Sequence, residues 1–355
     1  MSTPSPESEP QSPKGHAAMT RLVLDPTVKR VTVDGFSFPL GAYPVEAMKP
    51  KAGYAVEFEA ADGGETFWYG GSPTGEGAEE WEEWPDRFMY DVVLTAERVP
   101  ALCRVLFSLL PGRIYPILDV LGHDAYREVD PYIAYDLVGI EHFYDALRDY
   151  GPWLYEDGLV GFGAMSTDPF VYLFLDEHKV LTLRVNLDLK EKVEKLLAAF
   201  DLEPTPEVRA CDSASHEHRS VLLGPDADAT AISADEIIEH LRDSWRLQLN
   251  VDWSRNVDDE GRELGVTGWR CMVRCRRGDR QGEEVYAEVL LTADCLATAD
   301  RLAGEAVGEG PPDGGEWDEV SVITHERLTP EELAEALGKA GAPSMDSSSV
   351  HMVRW

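Results

Sequence analysis

FMYDVVLTAERVPALCRVLFSLL, residues 88–110, holds the pattern on which the fold turns. Strand-like apolar residues run up to Thr95, and Leu102, Val105, Leu106 and Leu109 then recur at helical spacing. VLTLRVNLDLKEKVEKLLAAF (180–200) follows the same plan, with Asp188 at the junction and Val193, Leu196, Leu197 and Phe200 behind it. EVYAEVLLTADCLATADRLAGEA (284–306) follows it again, with Thr292 at the junction and Leu296 and Leu302 beyond. A Thr or Asp at such a switch accepts hydrogen bonds from the first free helix amides, so each junction reads as an N-cap. Glu191 lies three residues beyond Asp188, the spacing of a capping box. Pro100 is compatible only with a first helical turn.

The flanking segments extend the plan. GIEHFYDALRDY (139–150) places Ile140, Phe143, Tyr144 and Leu147 on one helical face. SADEIIEHLRDSW (233–245) opens on a Ser233/Glu236 capping box and turns Ile237, Ile238 and Leu241 inward. DEVSVITHE (318–326) reads as a strand, followed by a helix in which Thr329 caps, Pro330 takes the first position and Gly341 stops it. Toward the N-terminus, RVTVDGFSFPL (30–40) pairs Val31 and Val33 with Phe36 and Phe38 about Asp34-Gly35, a type I′ hairpin signature. YAVEFEAADGGETFWYGG (54–71) reads as a second hairpin, turning at Asp62-Gly63-Gly64.

The expected fold class is therefore α+β: repeated antiparallel β-hairpin plus helix units, with helices packed on one face of each sheet. The expected organisation is a disordered tail at 1–18, a hairpin-rich unit at 19–136, and a second α+β unit at 137–204. A linker at 205–229, a C-terminal α+β domain at 230–341 and a tail at 342–355 complete it. Met19 is an alternative translation start. The order of elements in 230–341 resembles small bacterial secretion-chaperone-like domains, which wrap helices on an antiparallel sheet and bind other proteins. That likeness is one of topology alone and implies no site residues.

Sixty-six acidic against 32 basic residues give a formal charge of −34. Phosphates and anionic lipid are repelled by such a surface, so neither a nucleic-acid nor a membrane partner is expected. A basic protein partner fits the charge, and so does plain solubility. The five cysteines (103, 211, 271, 275, 295) form no C-x-x-C and no even framework, which points to a reducing compartment. With no basic n-region before an apolar core and no apolar run of membrane-spanning length, the chain reads as soluble and cytoplasmic.

Candidate sites are few. WEEWPDRF places Trp81, Glu82, Glu83, Trp84 and Phe88 together, aromatics among carboxylates that suit a basic protein partner or, alternatively, cover a sheet edge. WRCMVRCRR sets Arg270, Arg274 and Arg276 on one strand face, a guanidinium row suited to an anion or to cross-strand pairing with Glu284 and Glu288. CDSASHEH offers Cys211, His216 and His218, ligand types that zinc accepts, although no fourth ligand follows at a familiar spacing. Asp226 and Asp228 in VLLGPDADAT resemble the D-x-D-x-T pattern of haloacid-dehalogenase-like phosphotransferases. Gly224-Pro225 before the first Asp and Ala229 after the second depart from that pattern, which leaves a turn-rich loop as the plain alternative. GFGAMS (161–166) has two glycines of a nucleotide loop but no helix after it.

No P-loop, H-E-x-x-H or nucleophile elbow is present, and no cofactor is expected. The sequence thus favours a non-enzymatic acidic protein-binding role, of adaptor, chaperone-like or neutralising type. The alternative is a metal-assisted hydrolase with a site assembled from distant residues.

Overall fold

A computed structural model describes residues 21–61, 85–277, 284–308, 317–338 and 343–355, with backbone alone at 66–68, 81–83 and 283. The expected tail at 1–18, the Met19 start, the turn at 62–64 and the Gly341 stop lie outside the described residues.

The chain is α+β. In order, the first part comprises β1 (Thr32–Val33), β2 (Phe36–Ser37), β3 (Ala42–Pro44), β4 (Gly53–Glu59), β5 (Thr66–Trp68), β6 (Trp81–Glu83) and β7 (Arg87–Val93). There follow α1 (Val99–Leu106), β8 (Arg113–Leu121), β9 (Val129–Ala134), β10 (Val138–Gly139) and α2 (Ile140–Leu154). Next come β11 (Val160–Thr167), β12 (Phe170–Leu175), β13 (Leu181–Asn186), α3 (Lys190–Ala198), β14 (His216–His218), α4 (Ala234–Trp245) and β15 (Leu247–Leu249). The last are β16 (Thr267–Arg277), β17 (Glu283–Ala293), α5 (Leu296–Gly308), β18 (Glu319–Leu328), α6 (Pro330–Ala336) and β19 (Ser349–Arg354).

A large antiparallel sheet runs in the order β15-β9-β8-β11-β12-β13-β7-β4, with β10 attached to β8. A four-stranded sheet runs β18-β16-β17-β19. The large sheet takes strands from both 19–136 and 137–204, and β15 comes from beyond residue 230, so it crosses the boundaries expected from sequence. Its alternation is plain in β13, where Leu181, Leu183 and Val185 are buried between half-buried Thr182, Arg184 and Asn186. One apolar core joins the two sheets: Leu183 and Val185 belong to it, as do Cys271 and Val289 and the α5 residues Leu296, Ala299, Ala303 and Val307.

Several local expectations hold. Asp34 and Gly35 both adopt positive φ (51° and 85°), as a type I′ turn requires, and Val33 pairs with Phe36. The Ser233/Glu236 capping box forms, and Thr329 caps its helix as expected, with Glu332 completing a second box that the expectation does not include.

Others are corrected. Gly53–Glu59 pairs with Arg87–Val93, not with Thr66–Trp68, which instead pairs with Trp81–Glu83. None of the three junction residues caps a helix with its side chain. Thr95 Oγ1 takes the Ser37 amide at 3.0 Å, and Asp188 lies inside a 3₁₀ turn that begins after Asn186. Thr292 is buried at the end of β17 and donates to the Ser347 carbonyl at 2.8 Å. The stretch read as a linker packs on the N-terminal part, since Cys211 and Val221 are buried and β14 pairs with β3. The stretch read as a C-terminal tail supplies β19, an edge strand along β17. No described helix is long and apolar enough to cross a membrane.

A three-histidine candidate metal centre

The turn between β12 and β13 is Asp176-Glu177-His178-Lys179. Asp176 closes it: its carbonyl accepts from the Lys179 amide at 3.1 Å, its amide donates to Val180 O at 3.1 Å, and its Oδ1 accepts from the Val180 amide at 2.8 Å. Lys179 has φ +63° and buries its ammonium against the Val160 carbonyl at 2.5 Å, which pins the turn to β11. Burial lowers the Lys179 pKa to about 8 against the opposing charges of Asp157 and Asp176. His178 is thereby held at the rim of the large sheet.

His216 and His218 reach the same point from β14, where i, i+2 spacing puts both on one side of a strand. β14 pairs with β3, His216 opposite Pro44 and His218 opposite Ala42. The ribbon is drawn onto the body at Gly41 and Gly158, where a Cβ on Gly41 would lie 2.0 Å from the Gly158 nitrogen. Only glycine permits backbones so close.

The three rings form a pinwheel. Centroids are 4.8 Å apart for His178–His216 and for His178–His218, and 5.0 Å for His216–His218, with interplanar angles of 74–76°. His178 Nε2 and His216 Nε2 share a hydrogen bond at 3.0 Å. His216 Nδ1 donates to the Ala214 carbonyl at 2.8 Å and His218 Nδ1 to the Gly158 carbonyl at 2.6 Å. A carbonyl oxygen only accepts, so in both rings Nδ1 carries the proton and Nε2 the lone pair. This is how metal-ligating histidines are held, by a hydrogen bond on the far nitrogen. One ligand atom from each of the three residues lies within 4.8 Å of the others.

Electrostatics differ around the ring. Burial, aided by the charges of His178 and His216, lowers the His218 pKa against the Gly158 hydrogen bond and favours the neutral, ligating form. Burial presses His178 the same way, but Asp176, then Glu177 and Asp212, outweigh it and raise its pKa. Asp176 Oδ2 and Glu177 Oε1 stand 3.6 and 3.3 Å from His178 Nδ1, on the side away from the other two rings.

The sequence-derived trio of Cys211, His216 and His218 is therefore recomposed. His178 joins the two histidines and Cys211 stays out. Its sulfur is fully buried, 4.0 Å from the His178 carbonyl, and burial followed by the charge of Asp212 pushes the thiol pKa up to about 12. Its sulfur is not among the ligand atoms that lie within 4.8 Å of one another in the histidine cluster.

The other candidates resolve differently. Arg270 meets Glu288 and Glu326, Arg274 meets Glu239, Asp243 and Glu319, and Arg276 meets Glu284 and Glu319. Carboxylates of the protein itself thus occupy the guanidinium row. Trp81, Glu82 and Glu83 contribute backbone to β6, and their side chains, like all of Trp84, lie outside the described residues. Phe88 is half-buried, edge-on to Phe58 at 5.7 Å and 5.1 Å below the Lys190 ammonium. Asp228 closes a turn on the Thr230 amide and hydroxyl, Asp226 is exposed, and GFGAMS lies within β11.

Compared with known proteins, the chain matches no family model, no curated sequence and no solved structure.

Proposed function

We propose that this chain is a metal-dependent hydrolase that holds one zinc-class divalent cation on His178, His216 and His218. The observation that carries the reading is the convergence of three half-buried imidazoles, two of them with Nδ1 tied to a carbonyl so that Nε2 faces inward. Imidazole nitrogens suit zinc and its neighbours in the first transition row. Structural zinc sites are closed by four protein ligands, whereas catalytic ones keep three and leave a position for water. Cys211 lies outside the three-histidine grouping, and the carboxylates of Asp176 and Glu177 face His178 Nδ1, so the fourth position would fall to solvent. A cation so bound lowers the pKa of its water to about 7 and supplies a nucleophile for ester, amide or phosphoester cleavage.

This reading takes precedence over the basic-partner one. Four of the five residues proposed for that contact have side chains outside the described residues, and Phe88 packs at the sheet edge.

The test is hydrolysis of p-nitrophenyl acetate by the purified chain, before and after chelation and after return of zinc. Activity that falls at least about tenfold on chelation, returns with zinc and is absent from His216→Ala/His218→Ala supports the reading. A rate indifferent to both chelator and variant overturns it.

A further inference from the structure

We propose a second divalent-cation site on the outer side of His178, formed by its Nδ1 with Asp176 and Glu177, so that this one ring bridges two ions. The inference rests on the three-histidine reading and extends it from a mononuclear to a dinuclear centre.

His178 differs from the other two histidines in what its outward nitrogen meets. In His216 and His218 the nitrogen facing away from the cluster makes an ordinary hydrogen bond, at 2.8 and 2.6 Å. The corresponding nitrogen of His178 faces two carboxylate oxygens, at 3.3 and 3.6 Å. A carboxylate that merely oriented the ring would sit at the charge-assisted distance of about 2.7–2.9 Å. Ligand atoms around a tetrahedral ion with bonds of about 2.0–2.2 Å lie about 3.3–3.6 Å apart. At 3.3 and 3.6 Å the spacing matches the edges of such a polyhedron and is longer than a short charge-assisted hydrogen bond.

The ligand atoms are available. Asp176 uses Oδ1 to close the turn, which leaves Oδ2 for the ion. Among the described residues no Lys or Arg ion-pairs with Asp176 or Glu177, in contrast to Glu239, Glu284 and Glu288, which pair with the arginines of β16. Their side chains keep 31% and 21% exposure, enough for an ion to enter from solvent. One ligand atom each from Asp176, Glu177 and His178 lies within 4.8 Å of the others. Two carboxylates and one imidazole form a harder set than three imidazoles, so the outer position accepts manganese or iron as well as zinc.

The proton balance is simple. As the outer ion binds, the Nδ1 proton leaves to solvent and the lone pair it releases takes the ion. His178 is then an imidazolate with one ion at each nitrogen.

The test uses the full chain stripped of metal and dialysed against zinc, with bound metal counted per chain. Two ions in the wild type, and one in an Asp176→Asn/Glu177→Gln variant that melts like wild type, support the proposal. One ion in both overturns the outer site and leaves the three-histidine reading standing, and none in either overturns both. If the variant fails to fold, the wild type loaded with copper(II) decides. Two coppers per chain with a spin-coupled, quenched resonance signal support the bridge. A single copper, or two with full uncoupled intensity, contradicts it.

Discussion

His178 and His216 stand Nε2 to Nε2 at 3.0 Å although 38 residues separate them in the chain. One belongs to the turn of a hairpin in the large sheet and the other to a short ribbon laid across it. At this spacing the two nitrogens are hydrogen-bonded, and a zinc-class ion taken up by the site would draw them apart to about 3.3–3.6 Å and join the turn to the β3–β14 ribbon.

Metal binding should therefore stabilise the fold. An ion that binds only the native chain adds about 2.7 kcal/mol at a free concentration one hundred times its Kd. Thermal unfolding of the chelated chain, repeated with added zinc, should show a clear rise in Tm. The His216→Ala/His218→Ala variant should show none. Equal rises in both would place the ion elsewhere.

Gly41→Ala should break the centre without touching a ligand. The new methyl would meet the Gly158 nitrogen at 2.0 Å and the Arg219 carbonyl at 2.7 Å, forcing the ribbon and its two histidines away from the sheet. Zinc affinity by calorimetric titration should fall at least about tenfold. Gly35→Ala is the control: it meets nothing within 4 Å but strains a residue at φ +85°, costing about 1 kcal/mol and leaving zinc affinity unchanged.

Arg327→Met should destabilise strongly. The Arg327 guanidinium reaches from β18 to Asp124 at 2.9 Å and to Asn256 at 3.1 Å, with side-chain exposures of 4% for Arg327 and 0% for Asp124. Removing Arg327 leaves the buried Asp124 carboxylate with Arg127, 3.7 Å away, and loss of one partner of a buried pair costs about 3–5 kcal/mol. Urea unfolding should report a loss in that range, and a loss below about 1 kcal/mol would show that the pair does not hold the two sheets together.

Asp119 should make the metal-free protein weaker in alkali. Burial, then the charges of Glu177 and Asp176, pushes its pKa from 3.8 up to about 7. The unfolded chain gives up this proton near pH 4 and the native chain only near pH 7, so stability falls as pH rises through that window. Asp119→Asn should leave stability unchanged at pH 3.5 and raise it at pH 8 by up to about 4 kcal/mol. Equal effects at both values would contradict the assignment.

What the sequence made legible is what local chemistry decides. Asp34-Gly35 names its own turn, and Ser233/Glu236 and Thr329 name their helix starts, because donor and acceptor lie within one helical turn. Strand partners are another matter. Nothing in Gly53–Glu59 says that it pairs with Arg87–Val93 across an intervening ribbon, or that Leu247–Leu249 borders Val129–Ala134. Ser349–Arg354 is a half-exposed edge strand whose mixed polarity hides it.

The site divides the same way. His216 and His218 are visible as an i, i+2 pair, but His178 is a lone polar residue in a turn. Its membership depends on the β3–β14 pairing and on the Gly41–Gly158 contact. A histidine at the tip of a tight hairpin between two apolar strands is the one signal by which the sequence could have given it.

Metal analysis of the chain purified without chelator tests the central claim most directly. The wild type should carry at least one zinc-class ion per chain, and a His216→Ala/His218→Ala variant that retains the wild-type fold close to none. A wild-type chain that carries no metal and takes up none on dialysis against zinc would contradict it.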